Sequence, residues 1–370
     1  MIRTLIVASF LCGCGSEDGP APPGGDGGTD DGGTDDAGVD AGVPCPDGSH
    51  EVPGGCDSTL SFVSGDSIAG GRDHHATFVV GSSLFVAGGT DRVDFFDDVQ
   101  TAPIGADGTL GAWSGAGTLP EPLAGHSVAV VGELVVVTGG LSTGAAFSDG
   151  TWTSRVAADG TFGAWAPGPP APPARMHHCM AASGDRVYVV GGLLGADTTD
   201  DVRSAAVRDG ALGEWRVETA LPESRSHEGC VVVDGALYVV GGLSGNPAGV
   251  NTPFADVLRA TLGADGTLGA WVTLSEPMPH ALATHSALAF GGLLWTLGGV
   301  EDNASFSAAV RRAPILEDGS TGPWEDASAS LPSPRGHVHQ TPLVGTRFYS
   351  VGGSQADGSV LDDVVVGSFE

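Results

Sequence analysis

After the first dozen residues, apolar side chains in this chain come in short runs bounded by turn residues, as in Ser83-Leu84-Phe85-Val86-Ala87 or Ala236-Leu237-Tyr238-Val239-Val240. No stretch beyond residue 13 sustains a helical period, and the runs are rich in Val and Ala and flanked by Gly and Asp. That patterning predicts short strands joined by tight turns. The runs also recur. A Gly-Gly doublet closes an apolar strand at Gly88-Gly89, Gly139-Gly140, Gly191-Gly192, Gly241-Gly242, Gly298-Gly299 and Gly352-Gly353, at spacings of 50 to 57 residues. In phase with it stand a Trp (Trp113, Trp165, Trp215, Trp271, Trp324) and a His (His74, His126, His177, His227, His285, His337). Each unit predicts four strands. The first follows the His, the second ends in Gly-Gly, the third opens after a variable loop, and the fourth carries the Trp beyond an Asp-Gly turn.

Four strands in about fifty residues is the size of one propeller blade. The chain is therefore expected to be all-β, a six-bladed β-propeller over residues 58–370. The sixth unit lacks a Trp strand, whereas Thr59-Leu60-Ser61-Phe62, ahead of the first His, matches that missing strand in pattern. The N-terminal strand is expected to complete the last blade and remove the open strand edges of an unclosed ring. The repeat resembles the kelch repeat, with Arg-x-His before the inner strand, the Gly-Gly doublet and a later Trp. The Arg stands at Arg72, Arg175, Arg225 and Arg335, and in this alignment Ala124 and Ala283 replace it in units two and five. The usual kelch Tyr between doublet and Trp is missing.

The N-terminus reads as an address. Residues 1–13 have the basic start and short apolar run of a secretory signal. Leu11-Cys12-Gly13-Cys14 resembles a bacterial lipobox, with Cys14 as the lipidated residue. Gly15 after it, by analogy, points to the outer membrane rather than inner-membrane retention. Residues 14–43 form an acidic Gly/Asp-rich tether unable to bury a core, and 44–57 a junction in which Cys45 and Cys56 are expected to form a disulfide. Cys179 and Cys230, inside apolar strands, are expected as buried free thiols.

Charge narrows the partners. The chain carries 45 acidic and 15 basic residues, a net charge of −30, and every base is Arg. Such a surface repels phosphate backbones, which excludes nucleic acid, and leaves membrane contact to the lipid anchor. The absence of Lys excludes Schiff-base chemistry. No hydrolase elbow, zinc-protease or phosphate-loop motif is present, so no catalytic residue and no cofactor are assigned. Tyr188, Tyr238 and Tyr349 all precede Gly-Gly, unlike the Tyr of the copper-radical oxidases built on a kelch-type propeller.

The ligand-binding candidates lie where the inner strands begin: Arg72, Arg175, Arg225 and Arg335 with His74, His126, His177, His227, His285 and His337. The arginines either converge on an anion or pair with acids of neighbouring blades. Around a six-fold channel the histidines are expected to stand too far apart for a shared metal, and no metal is assigned. The post-doublet loops (Thr90–Asp97, Leu141–Asp149, Leu193–Asp200, Leu243–Asp256, Val300–Ser307, Ser354–Asp362) vary most and share this face. The expected function is a monomeric, envelope-tethered module that binds a protein or glycan through these loops, without catalysis. The alternative, which the resemblance supplies, is a carbohydrate-active enzyme like the exported sialic-acid mutarotases, with an Arg-lined anion pocket and Glu228 or Glu223 as acid/base.

Overall fold

The computed structural model describes residues 59–369, except Ala145, Ala158, Pro172, 246–250, Asp302 and Asn303, together with the backbone of a hairpin pairing His50–Val52 with Gly55–Asp57. The signal segment, Cys14, the tether and the Cys45–Cys56 pairing lie outside the described residues. Within them every regular element is a strand.

Six antiparallel sheets of four principal strands form the blades. In blade one, from the axis outward, the strands are Ala76–Val80, Ser83–Ala87, Asp98–Pro103 and Ser114–Thr118. The inner strands of the next four blades are Ser127–Val131, Cys179–Ser183, Gly229–Val233 and Ser286–Phe290. Blade six keeps only Leu343–Val344 in regular inner-strand pairing, followed by Arg347–Val351 and Val364–Phe369. Its fourth strand is Leu60–Gly65, paired antiparallel from Leu60↔Phe369 to Gly65↔Val364. The ring closes through the N-terminal strand, as its pattern predicts.

The second strands read as continuous apolar runs because both their faces are covered. In Ser83–Ala87, Phe85 and Ala87 pack toward blade two while Leu84 and Val86 pack toward blade six. The described core accordingly consists of six apolar clusters, one at each interface between neighbouring blades. Other recurrent residues sew these wedges together. Trp113, Trp165, Trp215 and Trp271 each donate their indole N–H to a backbone carbonyl of the preceding blade, at 2.8–2.9 Å. Tyr188, Tyr238 and Tyr349 donate to the glycine carbonyls of the Asp-Gly turns at Gly266, Gly319 and Gly108, each 2.9 Å away in the following blade.

The Gly-Gly doublet is explained by the same seam. The second glycine's N–H donates to a carbonyl at the start of the next blade's inner strand, as in Gly140 to Arg175 (2.7 Å) and Gly353 to Arg72 (2.9 Å). The first glycine, at φ +56 to +66°, lies so close to that carbonyl that a Cβ would sit 2.3–2.7 Å from it. Only glycine combines this dihedral with this approach.

Cys179 and Cys230 are not free thiols but a disulfide, with Cα atoms 6.0 Å apart. The expectation treated each strand alone. These strands are the inner strands of blades three and four, and a separation of 51 residues, about one repeat, brings the two side chains face to face across the seam.

Candidate functional site

Where the inner strands begin, six backbone groups form a closed circle of hydrogen bonds. The amide of Gly125 donates to the carbonyl of His74, His177 to Gly125, His227 to His177, Thr284 to His227, His337 to Thr284, and His74 back to His337, at 2.7–3.2 Å. All six residues have positive φ, between +52° and +66°. This left-handed turn aims each amide and carbonyl along the circle instead of along the strand. Five non-glycine residues in this region carry a steric cost, which the closed circle and the interblade packing hold in place.

The circle corrects the repeat register. In units two and five the residues equivalent to His74 are Gly125 and Thr284, so His126 and His285 stand one position later, in register with His75, His178 and Glu228. The Arg position is filled there by Leu123 and Leu282 rather than Ala124 and Ala283. Units two and five, opposite one another in a ring of six, thus share Leu-Ala-Gly/Thr-His-Ser, while the other four carry Arg-x-His.

The register explains where each candidate points. His74, His177, His227 and His337 converge inside the circle instead of standing apart. Ring centroids are 4.8 Å apart for His74–His177, 4.3 Å for His74–His337 and 4.0 Å for His177–His227. The expectation of wide separation placed these side chains around an open channel. The left-handed turn swings them toward the axis. His339, which its i, i+2 spacing sets beside His337 and ring closure sets beside His74, also meets His177 and His227; it joins the four at 5.5–6.3 Å because blade six departs from regular pairing there. The next residue, Gln340, reaches blade two, where its side-chain amide bonds both the N–H and the carbonyl of Val128. Among the described residues no group of three His, Cys, Asp or Glu is placed to hold a metal ion. Burial, reinforced by the neighbouring imidazoles, holds His177, His227, His337 and His339 well below the usual imidazole range. For these four rings the environment favours the neutral form.

The four arginines do not reach the mouth. Each donates to the carbonyl of the first doublet glycine and to an aspartate opening the third strand of its own blade, not of a neighbour. The pairs are Arg72–Asp98 (2.7 Å), Arg175–Asp201, Arg225–Asp256 (2.8 Å) and Arg335–Asp363 (2.7 Å). Arg72 and Arg225 also stack on Phe96 and Phe254. All four arginines are at most 2% exposed, so their forks are already occupied by carboxylates. Where the Arg is Leu, the aspartate is lost too: Gly150 and Ala309 stand in its place.

One position past the circle, His75, His126, His178, His285 and Glu228 lie buried at the interblade seams. Burial pushes His75 and His285 down to about 3, His126 to about 4 and His178 well below its usual range. Glu228, the exception in chemistry, is pushed up by burial to about 7 against the pull of Arg225 and Arg175. It is 2% exposed and packs against Gly191 and Gly242, whereas Glu223 is exposed.

Above the circle the residue after each doublet bridges back to the strand entry, as in Asp73↔Thr90, Met176↔Leu193 and Gly336↔Ser354. In three loops that residue also bridges to a partly exposed Phe: Thr90↔Phe95, Leu141↔Phe147 and Val300↔Phe306. Arg92, at φ +73°, places its Nε 3.1 Å from Asp73, whose other oxygen lies 2.7 Å from His74 Nδ1. Burial alone would raise the Asp73 pKa, but His74, His337 and Arg92 together depress it.

Comparison with known proteins agrees with this geometry. The family model for the KLHDC2/KLHL20/DRC7 Kelch-repeats domain matches residues 59–242. The Kelch-like protein terF of Aspergillus terreus is 28% identical over 314 residues, covering 83% of this chain and 66% of that protein. Kelch-like protein 34 of Homo sapiens is 40% identical over 88 residues, 22% of this chain and 14% of that one. The chain thus spans just under two thirds of the first relative and a small part of the second. The solved structure of YjhT shares the fold at TM-score 0.56 and 15% identity, over 69% of this chain and 84% of its own. The chain is thus a six-bladed β-propeller whose repeats are similar to those of kelch proteins.

Proposed function

We propose that the protein is a non-catalytic recognition module, displayed on the cell envelope by a lipidated Cys14, that grips a protein or glycan through the loop face. The observation that carries this reading is the sealed mouth. Among the described residues a hydrogen-bonded circle filled by histidines closes the channel mouth, and the arginines beneath it are already paired. What that face offers is six loops of different sequence on one rigid frame, with Phe95, Phe147 and Phe306 partly exposed at equivalent sites. Variable loops on a rigid scaffold are where recognition concentrates, and aromatic side chains are favoured anchors at interfaces.

Replacing the three phenylalanines by Ser tests the proposal. Capture of envelope or matrix material on the immobilised protein should fall at least about tenfold, as loss of aromatic anchors costs, with the unfolding midpoint unchanged. Capture that survives the triple substitution, or that is lost only with the fold, removes the loop face from the account. A Cys14→Ala chain should leave the membrane fraction, and its retention there would overturn the anchor.

A further inference from the structure

The opposite face of the propeller carries a different chemistry. Between the first-to-second-strand turn of blade three and its third-to-fourth-strand turn lies a cleft of about 400 Å³, lined by Arg186, Arg208 and Arg216 with Glu214, Leu212 and Ala206 among others. A second cleft of about 280 Å³ shares Arg186 and Arg208 and extends to the Asp265-Gly266 turn of blade four. Three arginines to one glutamate in the larger cleft inverts the balance of a chain with three acids for every base.

Arg186 is the decisive residue. Seven arginines among the described residues are buried, and six of them lie against a carboxylate: Arg72, Arg175, Arg225, Arg311, Arg312 and Arg335. Arg186, 7% exposed, has no carboxylate within ion-pair distance among the described residues and makes one hydrogen bond, from Nη1 to Ser204 Oγ at 3.0 Å. That hydroxyl also accepts from Arg216 Nε (3.1 Å) and donates to Glu218 Oε1 (2.5 Å). Glu218 Oε1 in turn lies 2.5 Å from Arg216 Nε, and its Oε2 accepts from the Leu268 amide. The buried Glu218 carboxylate thus pairs with Arg216 alone and reaches Arg186 only through the Ser204 hydroxyl, and Arg216 Nη2 remains buried without a partner. A buried guanidinium left uncompensated is costly, and a planar carboxylate satisfies its fork best. Arg208, 74% exposed and 4.0 Å from the exposed Asp185, stands at the rim as a third cation.

We propose that this cleft is a binding site for a small carboxylate-bearing molecule, its carboxylate held between Arg186 and Arg216 and its body on the Ala206–Leu212 wall. The volume suits a ligand of monosaccharide size, and the aliphatic wall favours the face of a sugar acid over a bare inorganic ion. The site lies on the face away from the loops and does not depend on the recognition role proposed for them.

The test is calorimetric titration of the whole chain with glucuronate, and with glucose, sulfate and inorganic phosphate, at constant ionic strength. One saturable glucuronate site is expected, without binding of glucose and with weaker binding of sulfate and phosphate. Arg186→Gln and Arg208→Gln should each weaken it by about tenfold or more, whereas Glu214→Gln should tighten it. Should Arg186→Gln fail to fold, the exposed Arg208→Gln carries the test. Absence of saturable glucuronate binding, equal binding of glucose, tighter binding of sulfate or phosphate, or indifference to Arg208→Gln overturns the site. Loss of glucuronate binding on substituting Phe95, Phe147 and Phe306 would place it on the other face and overturn it equally.

Discussion

At the scale of single residues, the buried Arg–Asp pairs show how the repeat tolerates two solutions. Blades one, three, four and six use a guanidinium and a carboxylate, and blades two and five replace both together with Leu123/Gly150 and Leu282/Ala309. Removing one partner strands a charge, whereas removing both does not. Asp256→Ala should cost about 3 kcal/mol, and Arg225→Leu with Asp256→Ala markedly less, as urea unfolding will show. Equal losses would mean that the pair acts by packing alone. Glu228 has the opposite signature. Its folded pKa, about 7, lies above the unfolded value of 4.5, so the folded state holds a proton between these values that the unfolded state has released. Its contribution to stability therefore falls as pH rises from 4.5 to 7. Glu228→Gln should raise stability at pH 8 by up to roughly 3 kcal/mol and change little at pH 4.5. A uniform gain across pH contradicts this. The arginines and four of the six axial candidates were legible in sequence through Arg-x-His. The register of His126 and His285 was not, because a histidine one position late still yields a plausible Ala-x-His. Only the left-handed turn distinguishes the two.

At the scale of elements, strand order and ring closure were written in the hydrophobic pattern. Thr59-Leu60-Ser61-Phe62 matches the Thr-Leu-Gly-Ala-Trp pattern of an outer strand, and the sixth unit lacks one. What pattern could not reveal was contact between units. The Cys179–Cys230 disulfide and the five-imidazole cluster both join residues about one repeat or more apart, through a curvature that no single strand encodes. The disulfide closes a loop of some fifty residues, and Cys179→Ala with Cys230→Ala should lower stability by about 2–4 kcal/mol. An unchanged midpoint, with and without reductant, would show that the cross-link adds nothing. Deleting residues 44–64 exposes the edge of Val364–Phe369 and should yield an aggregating, non-cooperatively unfolding chain, whereas deleting 16–43 should leave the midpoint in place. Equal behaviour of the two deletions would contradict closure through the N-terminal strand.

At the scale of the whole molecule, histidine burial sets the conditions under which the propeller persists. Eight histidines have folded pKa values below the unfolded 6.5, so the unfolded chain binds more protons as pH falls beneath that value. Each costs up to about 1.4 kcal/mol per pH unit below 6.5. Eight together rival the full stability of a domain within about one unit, so cooperative acid unfolding is expected between pH 6 and 4.5. A midpoint unchanged down to pH 4.5 contradicts neutral burial of these eight histidines.

A continuous circle of hydrogen bonds closes the loop-side mouth, and the proposed recognition by the loops rests on that closure. Native-state hydrogen exchange of the six circle amides, at His74, Gly125, His177, His227, Thr284 and His337, tests it directly. All six are expected to exchange together and only through global unfolding, among the slowest amides in the chain. Exchange of any of them on the timescale of the post-doublet loops would show an open mouth and contradict that closure.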